Sequence, residues 1–92
     1  MSATPRRFRL AEGVLAQAAL DEAVLLDARA GAYFGANPSA TVILRALLAN
    51  ADEEEMLAAL VAKFDADAAV LRTDLRQCLD GWLARGLIAI AS

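Results

Sequence analysis

The sequence predicts an α+β domain, with a β-hairpin ahead of three amphipathic helices. Three observations point there. Glu22 to Asp27 encloses a short apolar run, Ala23 to Leu26, that reads as a strand, and a turn ending in Gly31 leads into a second short apolar run, Ala32 to Ala36. Beyond Asn37-Pro38 the apolar residues recur at spacings of three and four. Helix-start and helix-stop residues then divide that region into three segments.

Each element has a local reason. Phe8-Arg9-Leu10 alternates weakly and is read as a first strand, with Gly13 allowing a turn after it. Val14 to Leu20 is ambiguous: its Ala and Gln content favours helix, and its place before two strands favours an extended segment. In the hairpin, Val24 and Leu26 share one face, and Ala23 and Leu25 the other. Gly31 is placed for a left-handed residue that closes the hairpin with a bulge. On the return strand Tyr33 and Gly35 share a face opposite Phe34, and a strand glycine marks close approach by another backbone.

The first helix starts at Asn37-Pro38, with Asn37 or Ser39 as cap and proline tolerated in the first turn. Val42, Ile43, Leu44, Leu47 and Leu48 form its apolar side, and Asn50-Ala51 breaks it. Asp52 and Glu55 have the form of a capping box for the second helix. Glu53, Glu54 and Glu55 suit the positive end of its dipole, and Met56, Leu57, Leu60, Val61 and Phe64 form its buried stripe. Asp67 caps a third helix from Ala68 to Arg85, with Leu71, Leu75, Cys78, Leu79, Trp82 and Leu83 along one side. Gly86 stands where a left-handed C-terminal cap belongs, Leu87 where that motif packs back against Trp82. Leu87 to Ile90 is a short apolar tail over the core.

Composition narrows the function classes. The chain has 92 residues, enough for one domain with a modest core, and 23 of them are alanine, so its 59% apolar content overstates its core-forming residues. The net charge is −3, which argues against a general nucleic-acid binder. The one basic cluster, Arg6, Arg7 and Arg9, is read as a solvated end, and residues 1–5 as a disordered lead-in. A single cysteine allows no internal disulfide and fits a reducing, cytoplasmic setting. The run from Leu10 to Leu26 is broken by Glu12, Asp21 and Glu22, so neither a signal peptide nor a membrane span is expected.

Catalytic signatures are missing. There is no histidine, which removes Ser-His-Asp and Cys-His machinery and most zinc sites. Cys78 lies on an apolar helical stripe and reads as a small hydrophobe rather than a nucleophile. The five glycines are scattered and form no phosphate loop. Neither the acidic run at Glu53 to Glu55 nor Asp65 with Asp67 has metal-ligand spacing. The expectation is a non-enzymatic binding protein with no cofactor and no metal.

The ordered set Leu25-Leu26-Asp27, Gly31, Tyr33-Phe34, Asn37, Asp74, Leu79 and Gly86-Leu87-Ile88 resembles the PqqD-like proteins, also called RiPP recognition elements. The likeness spans about residues 8 to 90. Ala36 departs from it where leucine is common, and Leu44 where tryptophan often stands. The resemblance implies a winged helix-turn-helix-like fold, an N-terminal three-stranded antiparallel sheet packed on three helices. It also implies a function: binding the leader region of a ribosomally made precursor peptide as a strand added to the third strand, with the third helix as a second wall. In lasso-peptide clusters such proteins deliver the precursor to a leader peptidase; in the PqqD group proper the recipient is a radical SAM enzyme.

The residues fit that mode. Ala32, Tyr33, Phe34, Gly35 and Ala36 form a stretch without charge, whereas free edges are normally defended by charge or proline. Arg72, Asp74, Leu75, Cys78 and Leu79 are the expected contacts from the third helix. Asp74 either receives a donor from the peptide or pairs with Arg72 or Arg76. A winged-helix DNA-binding protein, reading the major groove through Arg72, Arg76 and Arg85, is the main alternative, weakened by Asp74 and Asp80. A plain helical interaction module is another. The expected partners are the leader and a maturation enzyme, with no nucleic acid and no membrane, the protein itself being a monomer or weak homodimer.

Overall fold

The computed structural model describes residues 4–19 and 22–91. Five strands and three helices follow in the order β1 (Phe8–Leu10), β2 (Val14–Ala18), β3 (Ala23–Asp27), β4 (Ala32–Ala36), α1 (Pro38–Leu48), α2 (Glu53–Lys63), α3 (Ala68–Ala84) and β5 (Ile88–Ile90). The fold is α+β, and its three-stranded antiparallel sheet beside three helices is winged-helix-like, as expected. Leu20, the last residue of the ambiguous stretch, and residues 1–3 of the lead-in expected at 1–5 lie outside the described residues.

The strands of the sheet differ from those expected. Its order is β2-β3-β4, so Val14–Ala18 is the first strand of the sheet. Phe8–Leu10 pairs instead with β5, in the register Phe8 with Ile90 and Leu10 with Ile88. The apolar tail thus becomes a strand that covers the core by pairing. Phe8 and Ile88 are both buried in the core, and hydrogen bonds from Ala11 N to Leu87 O and from Ala91 N to Arg7 O lengthen the ribbon.

The sheet has one packed face and one open face. Val14, Ala23 and Leu25 turn inward and are buried, with Phe34 partly buried beside them. Val24, Leu26, Tyr33 and Gly35 share the opposite face with Leu15 and Gln17. Tyr33 on that face is 74% exposed and Leu15 61%. Pairing between β3 and β4 runs without a break from Asp27–Ala32 to Ala23–Ala36, so the hairpin closes without a bulge, although Gly31 has the expected left-handed φ of 64°.

The helix boundaries follow the capping chemistry. Asn37 accepts from Ala40 N at 2.8 Å, and Asp52 and Glu55 complete a reciprocal capping box. Asp67 accepts from Ala69 N at 2.9 Å. Both α1 and α3 end in Schellman motifs, with left-handed Asn50 and Gly86. In the first, Ala51 N donates to Ala46 O and Asn50 N to Leu47 O; in the second, Leu87 N donates to Trp82 O and Gly86 N to Leu83 O.

Two expectations for the helices are corrected. Leu48 and Val61 are exposed, so the buried stripes are narrower: Ile43, Leu44 and Leu47 on α1, and Met56, Leu57 and Leu60 on α2. The basic cluster is not simply a solvated end. Arg6 grips the Glu53 carboxylate through Nε at 2.6 Å and Nη2 at 3.2 Å, and Arg7 lies 3.9 Å from Asp52 and from Glu55. The acidic first turn of α2 therefore anchors the N-terminal segment as well as complementing the helix dipole. Arg6 holds the Glu53 carboxyl below its usual range, mainly by that hydrogen bond. Among the described residues no helix is long and apolar enough to cross a membrane.

Candidate functional site

β4 is an edge strand, paired only with β3 among the described residues. In an antiparallel sheet alternate residues of an edge turn their N–H and C=O groups away from the neighbouring strand. β2 forms the other edge and is also free of charge. What distinguishes β4 is its surroundings.

A groove of about 460 Å³ lies between the start of α1 and one flank of α3. Asn37, Ser39 and Ala40 line one side, immediately after β4. The other side is α3, through Asp74, Gln77, Cys78, Gly81, Trp82 and Arg85. Phe34 reaches the same helix, its ring centroid 5.6 Å below the Arg85 guanidinium carbon. The groove-lining positions of α3 recur at three- and four-residue spacing, beside the core stripe of Leu71, Leu75, Leu79 and Trp82.

The expected site residues divide accordingly. Asp74 and Cys78 line the groove, and Ala32 to Ala36 form the edge beside it. Leu75 and Leu79 do not line it: at 1% and 0% exposure they belong to the core. Arg72 lies on the opposite flank of α3, where it grips the Glu54 carboxylate through Nη1 at 2.9 Å and Nη2 at 3.3 Å. Two residues apart on a helix, Arg72 and Asp74 point roughly 160° from each other, so they cannot pair. Among the described residues Asp74 is exposed and has no hydrogen bond or ion pair.

Cys78 is half-buried, and desolvation pushes its thiol up to about 11. It stays a neutral thiol near pH 7, a weak nucleophile. Gly81 leaves open space where a Cβ would stand. An added Cβ at Gly35 likewise meets nothing within 4 Å among the described residues, so no close backbone approach on its open face explains this glycine. No group of described residues has the make-up of a metal site.

Sequence reasoning overlooked Arg29. From the hairpin turn its Nε and Nη2 grip the Asp27 carboxylate at 2.9 and 3.2 Å, while Nη2 also donates to the Gly86 carbonyl at 2.9 Å. The turn is thereby tied to the end of α3. The hydrogen bond from Arg29 holds the Asp27 carboxyl below its usual range. Gly13 makes room for the same arginine: a Cβ there would come within 2.8 Å of Arg29 Cγ. The signal in the sequence is the Asp-x-Arg spacing at the turn, but its far partner, a backbone carbonyl, carries no residue signature.

Residues 22–88 match the family model for coenzyme PQQ synthesis protein D, PqqD. The chain belongs to the PqqD family. The match runs from the start of the hairpin to β5 and so contains both walls of the groove. Among solved structures, the protein is similar to TbiB1 in complex with the TbiA(beta) leader peptide. The TM-score is 0.80 with 28% identity, over 87% of this chain and 93% of that one. It is also similar in fold to a lasso peptide synthetase B1 complexed with the leader peptide, with a TM-score of 0.80 and 22% identity over 90% of this chain and 98% of that one. No curated protein matches.

Proposed function

We propose that this PqqD-family protein binds the leader region of a ribosomally synthesised precursor peptide and presents it to a maturation enzyme, performing no covalent chemistry itself. The leader adds as a strand to the β4 edge, against the groove flank of α3. The observation that carries this reading is the conjunction of a charge-free edge at Ala32–Ala36 with an open groove beside it. Further support comes from TbiB1, 28% identical, whose structure is a complex with a leader peptide. The neutral Cys78 thiol and a sequence without histidine fit a binding role.

Strand addition alone gives modest affinity. About four ladder bonds at ~0.5–1.5 kcal/mol net each are largely offset by ordering a flexible peptide. Groove contacts with Phe34, Asp74, Gln77, Cys78 and Arg85 supply the remainder and the selectivity. The Leu75 and Leu79 side chains support that wall from the core, and Arg72 braces α3 against α2 through Glu54.

A leader peptidase of a lasso-peptide cluster is the proposed recipient, given the likeness to two leader-bound proteins, one of them a lasso peptide synthetase B1. A second recipient is a radical SAM enzyme, as the resemblance to the PqqD group implies; the family model that matches is that of coenzyme PQQ synthesis protein D. Both use the same leader site. Titration calorimetry with the leader of the cognate precursor tests the binding: a 1:1 complex weakened at least tenfold by Gly35→Pro is expected, provided the variant melts as a folded protein. Equal affinity for the two proteins would refute strand addition. Co-purification with each candidate enzyme then assigns the recipient.

A further inference from the structure

The groove flank of α3 is electrically polar along its length. Asp74 stands near one end and Arg85 at the other, eleven residues and about 16 Å apart along the helix. Eleven residues are three helical turns, so both lie on the same flank. Among the described residues neither has an ion pair; the Arg85 guanidinium instead rests over the Phe34 ring. Of the other charges in this region, Arg72 is held by Glu54 and Arg6 by Glu53, while Arg76 and Asp80, exposed and likewise without an ion pair among the described residues, do not line the groove. Two opposite charges without charge partners, one at each end of a groove that borders a strand edge, form a two-point pattern for a ligand.

Resting on the function proposed above, we infer that the peptide strand bound here carries two opposite charges four residues apart, a basic side chain meeting Asp74 and an acidic one meeting Arg85. The spacing follows from strand geometry. An added strand rises ~3.3 Å per residue and alternates its side chains between two sides. Both charges must face α3, so their separation is even. Four residues span about 13 Å, and the reach of a lysine or glutamate side chain covers the rest. An odd spacing turns one charge away from the helix. β4 brings Phe34 beside Arg85, and the chain leads on into Asn37 and Ala40 along the same groove as Asp74. The order of the two charges along the ligand therefore reports its direction: a basic residue preceding the acidic one means a strand antiparallel to β4.

The probes are N-acetylated, C-amidated ten-residue peptides on one Thr/Val background. Four carry Lys–Glu, Glu–Lys, Lys–Lys or Glu–Glu at a separation of four; two carry the mixed pairs at a separation of five. Amide-shift titrations of the labelled full chain at low salt read their affinities. One mixed order at separation four is expected to bind about fivefold more tightly than the like-charge peptides and the odd-spaced ones, a margin that shrinks with added salt. The Asp74→Lys/Arg85→Glu double variant should prefer the opposite order, and Asp74→Asn alone should lose most of the preference. Shifts in β4 with equal affinities for all six peptides, or a ranking unmoved by the double variant, would overturn the charge match and leave strand addition standing. If no peptide shifts the β4 amides, strand addition on this edge fails and the charge match with it.

Discussion

Arg29 donates from Nη2 to the Gly86 carbonyl at 2.9 Å, joining the hairpin turn to the C-terminus of α3 across 57 residues of sequence. The same guanidinium grips Asp27 at the turn end of the hairpin, so one side chain holds the hairpin turn and the helix end together. These are the elements that carry β4 and Arg85, the edge and one end of the groove.

Arg29→Ala is therefore expected to lower the melting temperature and to weaken leader binding together. Arg29→Lys should restore little of either, because an ammonium cannot reproduce the two-pronged grip on Asp27 while also reaching Gly86. Thermal melts and titration calorimetry check both. Wild-type affinity in a destabilised Arg29→Ala would detach the turn from the groove.

Acid should loosen the same joint. The Asp27 carboxyl titrates below its ordinary value because Arg29 hydrogen-bonds its ionised form, and Glu53 does so because of Arg6. A lowered folded-state pKa gives a stabilisation that is complete above the unfolded carboxylate value, near 4. It is lost as pH falls from there through the folded value. Urea unfolding between pH 6 and pH 2 should show stability falling on that acid limb, with a shallower fall in Asp27→Asn.

Gly81 sets stability against binding. It sits inside α3, where glycine costs roughly 0.5–1 kcal/mol relative to alanine, and a Cβ there meets nothing within 4 Å. Gly81→Ala should raise stability by about that amount while narrowing the groove floor and weakening leader binding. A stabilised variant with unchanged affinity would place the ligand away from this part of α3.

Cys78 should resist alkylation. With its thiol pushed up to about 11, iodoacetamide labelling at pH 7 is expected to be far slower than for a free cysteine. Saturating leader should slow it further, since Cys78 lines the groove. Labelling rates followed by intact mass, with and without peptide, measure both effects.

Local chemistry was readable where each residue acts on its neighbours. Asn37, the Asp52–Glu55 box, Asp67, Gly31 and Gly86 all stand where their backbone preferences require. Partners far apart in sequence were not readable. Phe8–Leu10 has the same alternation whether it pairs with β2 or with a tail eighty residues on, and only Ile88–Ile90 completes it. Leu75 and Leu79 share α3 with Asp74 and Cys78, and periodicity alone does not say which flank meets the sheet edge. The pairing of Arg72 with Glu54 resolved that question, because it assigned the opposite flank to α2.

Hydrogen exchange at the β4 amides, measured with and without the cognate leader, tests strand addition most directly. In the free protein the outward-facing amides of Ala32–Ala36 should exchange quickly and those bonded to β3 slowly. Leader binding should protect the outward-facing amides, in alternation along the strand, with smaller changes along Asp74, Cys78 and Arg85. Protection appearing instead on β2, or β4 exchange unaltered by saturating leader, would contradict it.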